Sequence, residues 1–431
     1  MIYSNIGTNV LGHMTIAGHD ATELVKGYGD ALMVLDENAV RQNCNVYTSS
    51  MKKYFPNGSM PVYASKALCF KGFYPILDSE GFGADAVSPG EIYTIKAAGF
   101  DMEKVYFHGN NKTDTDLEFA INSNVGYIVV DSLSELLTLD GIAGNIGAVQ
   151  KILLRLAPGI DPHTHAKIST GGIDTKFGIA IATGQALAVV KVALSLKNIK
   201  LCGFHCHIGS QIFECEPFCD AADIMLGFIK EVKSAFDYET EILNLGGGFG
   251  VRYVESDPEI SIKKNLEVLG THIKNVCASL GICEPKIVLE PGRSIVANAC
   301  TTLYEAGNIK VIPEIKNYVS VNGGMTDNPR YTLYGSKYTV VNASKANEAC
   351  DFKCTLAGRC CESGDILQED ILIAKPEKGD IIAVLGTGAY NYSMASNYNR
   401  ICRPALIIVK GDDVRIGIRR ETFEDLVKYD A

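Results

Sequence analysis

Positive charge is scarce in this 431-residue chain: 40 Lys and Arg stand against 50 Asp and Glu, for a formal net charge of -10. Without a basic surplus or a basic stretch, neither nucleic acid nor an anionic membrane surface is an expected partner. Long apolar runs are also missing, and none approaches the ~18 residues of a spanning helix. Residues 1–14 hold neither a basic segment nor an apolar one, so no secretory signal is expected. Low-complexity segments and long Pro- or Ser-rich linkers are absent too. Cysteine is not scarce, with 14 residues, but these lack the spacing of a small disulfide scaffold. Pairs such as Cys202/Cys206, Cys215/Cys219 and Cys350/Cys354 are looser than ordinary zinc pairs. Free, mostly buried thiols in a cytoplasmic protein are the expectation.

What is present is ordinary globular material, 47% hydrophobic and 21% charged, which excludes a disordered tail, a collagen-like repeat and a coiled coil. The length suits two or three domains. Short β-rich runs recur at Pro61–Ser65, Ala84–Ser88, Lys104–His108, Tyr127–Asp131, Lys151–Ala157, Lys200–His207, Ile242–Leu245 and Lys286–Glu290. Helical patterns fill the intervals, and one more helix over Glu37–Tyr54 precedes the first run. Alternation of this kind implies parallel strands with helical crossovers, and eight runs predict an (α/β)8 barrel of the TIM type. After Arg293 the pattern becomes short strands with Gly-Asp turns, at Gly364-Asp365, Gly379-Asp380 and Gly411-Asp412. The expected division is a barrel over 31–297 and a second, β-sandwich or β-barrel domain built from 1–30 and 298–431.

Chemically suggestive residues fall at the C-terminal ends of the predicted barrel strands: Lys66, Ser88, His108, Asp131, Arg155, His207, Gly246-Gly247-Gly248 and Glu290-Pro291-Gly292-Arg293. That face carries the active site in such barrels. The glycine loop after the seventh run and Pro-Gly-Arg after the eighth occupy the usual phosphate positions, where bare backbone amides approach an anion. Lys66 in a partly enclosed barrel mouth is suited to a Schiff base. A lysine and a phosphate cradle on one rim point to pyridoxal phosphate, and an acidic Glu290 suits a protonated pyridine nitrogen. His205 and His207, two apart on a strand, raise a metal alternative, as do His163 and His165. No third ligand can be named, so no metal is expected.

In this order the motifs YASKA (63–67), GADAVSPGE (83–91), FHGNNK (107–112), RLAPG to DTKFG (155–178), HIGSQ (207–211), NLGGGFG (244–250), EPGR (290–293), CESGD (361–365) and GAYNYSMASNYN (388–399) make the chain resemble the meso-diaminopimelate decarboxylases. These belong to the alanine-racemase-like, fold type III pyridoxal phosphate enzymes, and the likeness covers nearly the whole chain. The resemblance implies that Lys66 carries the cofactor, His207 stacks on its ring and Glu290 pairs with the ring nitrogen. It implies phosphate contacts from Ser210, Gly247, Gly248, Gly292 and Arg293. It assigns the substrate's distal end to Arg293, Arg330, Tyr334 and Glu362, proton donation to Cys361, and contact with both cofactor and substrate to Tyr390. It further implies a homodimer in which the CES segment enters the partner's site. The implied activity is decarboxylation of meso-2,6-diaminopimelate to L-lysine, the last step of lysine biosynthesis. A decarboxylase of ornithine, lysine or arginine is the alternative, although it would need an acid for the distal cation.

Overall fold

The computed structural model describes residues 2–160 and 176–431; His163, His165 and the middle of the RLAPG–DTKFG stretch lie outside the described residues. The chain divides into a barrel unit, Asn43–Val251 with Glu259–Gly292, and a sheet unit, Met1–Gln42, Arg252–Pro258 and Arg293–Ala431. The divisions therefore fall at 42/43 and 292/293, where the sequence had suggested 31 and 297. The first difference has a clear origin. Leu32–Asp36, an entirely buried strand, pairs with Cys300–Leu303 and Ala405–Val409 instead of with barrel strands. Only beyond it, partway along helix Glu37–Tyr54, does the chain enter the barrel unit.

Eight parallel strands close the barrel: Met60–Ala64, Gly83–Ala86, Val105–Phe107, Tyr127–Val130, Gln150–Ala157, Ile199–His205, Ile242–Asn244 and Lys286–Leu289. Closure is made where Val288 and Leu289 pair with Met60 and Pro61, joining the last strand to the first. Each strand lies where the sequence pattern put a β-rich run. Strands covered on both faces need apolar residues at successive positions, and that leaves a strong local signal. Val62, Tyr106, Val129, Leu153, Cys202, Ile242 and Val288 pack together as a buried cluster contributed by seven of the strands. Ser88, Thr113 and Ser132 cap the helices that follow three of the strands by accepting from backbone N–H groups in the first turn. Ser88, expected among the chemical residues of the rim, is in this structure a helix cap.

In the sheet unit the long strand Cys300–Ile312 is the branch point. Its first half lies antiparallel to Leu32–Leu35 and to Ile381–Leu385, and its second half antiparallel to Lys316–Val321. Phe352–Ala357 and Ile366–Ile373 extend the sheet on one side, Ala405–Lys410 and Asp413–Ile418 on the other. The N-terminal residues join this unit, as their length suggested: Met14, Ile16, Leu24 and Val25 share a buried core with Leu303, Ala383 and Ile407.

Candidate active site

Lys66 sits in a short 3-10 turn, Ser65–Ala67, just beyond the first barrel strand. The turn is held from below: Ser65 N–H donates to Asp85 Oδ1 at 3.0 Å, and Tyr74 O–H donates to Ser65 Oγ at 2.9 Å. Lys66 itself is exposed on the rim. Its charge reaches Asp85, Glu91 and His207. Burial, reinforced by the Glu290 charge, pushes the Asp85 carboxyl up to about 6. Burial also holds the His207 imidazole well below its ordinary value, helped by the nearby Lys66 charge, so His207 is a neutral ring.

Glu290, at the end of the eighth strand, is buried and surrounded by donors. Asn244 Nδ2 donates to Oε1 at 2.6 Å, His108 Nε2 lies 2.9 Å from the same oxygen, and His205 Nε2 lies 3.3 Å from Oε2. The two imidazoles meet edge to face with ring centroids 4.8 Å apart. Burial alone raises a carboxyl pKa, yet here His108 and His205 outweigh it and hold Glu290 well below the carboxylate range. Burial lowers His205 to about 4, which makes it a neutral N–H donor. The expected His205/His207 pair does not form. The strand ends at His205, so the two-residue alternation stops before His207, and His205 turns to Glu290. His108, His205 and Glu290 have ligand atoms within 4.8 Å of one another, a spacing open to a metal ion. His205 Nε2 and Asn244 Nδ2 hydrogen-bond the carboxylate, while His108 Nε2 stands 2.9 Å from it without hydrogen-bond alignment. Arg155, expected at a strand end, lies inside its strand, 3.8 Å from Asp131.

The glycine loop is built by contact with neighbouring backbone. A Cβ on Gly247 would overlap the Glu290 carbonyl, and one on Gly248, at φ +138°, would lie 2.6 Å from the Gly209 carbonyl. Gly292 is similarly pressed, with Ala64 Cβ 2.8 Å from where its own would stand. The loops after the sixth, seventh and eighth strands thus pack closely on one another and carry no side chains at these positions, which leaves backbone amides bare as a phosphate cradle requires. Together with an exposed rim lysine and an ionised buried carboxylate, they fit pyridoxal phosphate. Lys66 would hold its aldehyde carbon and Glu290 its ring nitrogen, and the cofactor would supply a sink for the electrons left by a departing carboxylate.

The sheet unit gathers a second group of predicted residues. Arg293 Nη1 donates to Tyr253 Oη at 2.9 Å, and the Arg293 guanidinium lies 4.9 Å from the Tyr390 ring. Arg330 lies over Tyr334 at 5.2 Å and Tyr390 at 5.6 Å, and its Nη2 donates to Ser336 Oγ at 3.2 Å. Its buried Nε has no hydrogen-bond partner among the described residues. Tyr253 and Tyr338, edge to face at 5.3 Å, were not foreseen; nothing local in sequence links residues so far apart. Asn244 and Asp85 were missed for a plainer reason, being unremarkable in type within strands. Cys361 and Glu362 are exposed on the loop between Phe352–Ala357 and Ile366–Ile373. Among the described residues, neither shares a hydrogen bond or ion pair with Arg293 or Arg330; Cys361 N–H instead donates to Asn399 Oδ1 at 2.8 Å.

A barrel with a rim lysine, glycine-lined loops and a buried glutamate is the architecture of a pyridoxal-dependent decarboxylase. The family model for the pyridoxal-binding domain of these enzymes matches residues 41–297. A diaminopimelate decarboxylase of Bacillus subtilis is 41% identical over 98% of this chain and 96% of its own. One of Synechocystis is 42% identical over 98% of this chain and 91% of its own. The structure of the M. jannaschii diaminopimelate decarboxylase in complex with L-lysine superimposes with a TM-score of 0.92 at 34% identity, covering 100% of this chain and 98% of that one. The chain belongs to the diaminopimelate decarboxylase family.

Proposed function

We infer that the protein converts meso-2,6-diaminopimelate to L-lysine and carbon dioxide with pyridoxal phosphate, closing lysine biosynthesis. The observation that carries the substrate choice is Arg330: a buried guanidinium facing Tyr334 and Tyr390, with an unpartnered Nε. Such a group is a receptor for a planar anion and suits the distal carboxylate of a diamino diacid. Ornithine, lysine and arginine end in a cation and would leave it unpaired.

Lys66 would hold the cofactor through its aldehyde carbon until the substrate amine takes that place. His207, neutral, presents its ring face, and Ser210, Gly247, Gly248, Gly292 and Arg293 hold the phosphate. Glu290, held as an anion, would keep the cofactor's ring nitrogen protonated. Arg293, Arg330, Tyr334, Tyr390 and Glu362 orient the substrate. The Cys361 thiol would deliver a proton to Cα after the carboxylate leaves. Exposure of Cys361 and Glu362 in the single chain supports a homodimer in which this loop serves the partner's site. All 14 cysteines are free thiols, in keeping with a cytoplasmic enzyme, and no described helix is long and apolar enough to cross a membrane.

The test is carbon dioxide release by the cofactor-loaded protein from meso-diaminopimelate, its LL isomer, ornithine, lysine and arginine, each offered alone. Release from the meso compound with lysine as product is expected. Release from ornithine or arginine instead would overturn the reading of Arg330. Cys361→Ala should keep the cofactor bound and slow turnover by roughly 10²-fold or more. Unchanged turnover would remove the thiol from the reaction.

A further inference from the structure

We propose that His108 and His205, with Asn244 as a third donor, form a clamp whose task is to fix the Glu290 carboxylate as an anion with one acceptor position left for the cofactor's ring nitrogen. The proposal rests on Glu290 being that nitrogen's partner and adds the residues that make it so. A carboxylate offers about four lone-pair sites, and a carboxylic acid needs an acceptor for its own proton. Around Glu290, Asn244 Nδ2 donates to Oε1 and His205 Nε2 lies at hydrogen-bond distance from Oε2, and His108 Nε2 stands 2.9 Å from Oε1, needing only a small ring rotation to align with it.

The donor assignments hold each other in place. Asn244 cannot present its oxygen instead, because Asn244 Oδ1 already accepts from Gly246 N–H at 2.9 Å. His205 places its proton on Nε2, toward Oε2. Its Nδ1 is buried without a partner among the described residues, and an unmet lone pair there costs less than an unmet N–H. With the clamp formed, a proton on Oε1 would point at another hydrogen, and the one remaining site, on Oε2, favours a cationic N–H. The three donors come from barrel strands or the residue just after one, and Glu290 follows the strand beside Asn244's, so the clamp is set by the barrel wall. His108 and His205 are thus positioning residues that act through Glu290 and touch no substrate.

The clamp is tested by binding to the full-length protein stripped of cofactor, using pyridoxal phosphate and its 1-deaza analogue, in which C–H replaces the ring nitrogen. His108→Phe and His205→Phe remove the donor and keep a planar ring, and His108→Gln and His205→Gln return an N–H near the Nε2 position. The Phe variants should bind pyridoxal phosphate on the order of 10- to 100-fold more weakly, as loss of a hydrogen bond to a charged group predicts. They should bind the deaza analogue like the parent, and kcat should fall with KM unchanged. The Gln variants should recover most of the loss. Equal weakening for both ligands, or for neither, overturns the clamp, since a merely structural histidine does not distinguish nitrogen from carbon in the ring. Glu290→Gln serves as the reference. If it separates the two ligands while the histidine variants do not, the clamp alone falls; if it does not separate them, the reading of Glu290 falls and takes the clamp with it.

Discussion

Glu290 is buried with Asn244 and His205 at hydrogen-bond distance and His108 close by, whereas Arg330 is buried with one hydroxyl and the faces of two tyrosines. Glu290 is solvated by protein hydrogen-bond donors, and Arg330 has no anion beside it among the described residues. Burying an ion without a partner costs several kcal/mol, so an unpaired guanidinium marks a place where the ligand brings the counter-charge. The barrel cluster holds groups at about 6 and about 7, Asp85 and Glu91, beside His205 at about 4. In the sheet unit, burial raises Tyr338 to about 12, and the neighbouring tyrosines raise Arg293 further against a burial effect that lowers it. Each unit also holds a buried carboxyl raised to about 6, Asp85 in the barrel and Asp327 in the sheet unit.

The sharpest break would come from Lys66→Ala. It should abolish both the visible absorbance of the lysine-linked cofactor and decarboxylation, and persistence of that absorbance would show the barrel cluster assigned to the wrong ligand. Next, Arg330→Met should lower kcat/KM for meso-diaminopimelate by about 100-fold, the value of hydrogen bonds to a charged partner, while cofactor absorbance stays intact. Loss of absorbance together with activity would mean that the two regions are not separable in this way.

A smaller effect is expected for Gly247→Ala, whose new methyl would meet the Glu290 carbonyl. Overpacking against backbone should destabilise the barrel by about 1–3 kcal/mol and lower Tm, read by thermal unfolding of the stripped protein. The smallest belongs to Asp85→Asn. A carboxyl raised to about 6 in the fold, against about 3.9 unfolded, binds more protons folded than unfolded between those values. Its contribution is therefore lost as pH rises through 6. The variant should lack that decline, so its Tm should gain on the parent's between about pH 4 and pH 6. A gap that stays constant with pH would place the Asp85 carboxyl outside the titrating cluster.

The resemblance in motif order was legible because chemistry and backbone geometry coincide in those segments. NLGGGFG is a phosphate loop and also the only composition that lets three loops crowd together. Leu32–Asp36 misled for the opposite reason. The boundary near 31 put it on the barrel side, and only its partners, about 270 and 370 residues further on, decide otherwise. The same holds for the single chain's view of Cys361 and Glu362, which no local pattern joins to a pocket.

By itself the sequence determined the eight strands, the second domain's strands and the candidate residues, since apolar periodicity and glycine placement are local consequences of burial and backbone sterics. Which donors surround Glu290, that His205 leaves His207 for a carboxylate, and that Tyr253 and Tyr338 join Arg293 and Arg330 were decided only by tertiary structure. Electrostatic pairing acts over a few ångströms of space and is indifferent to distance along the chain.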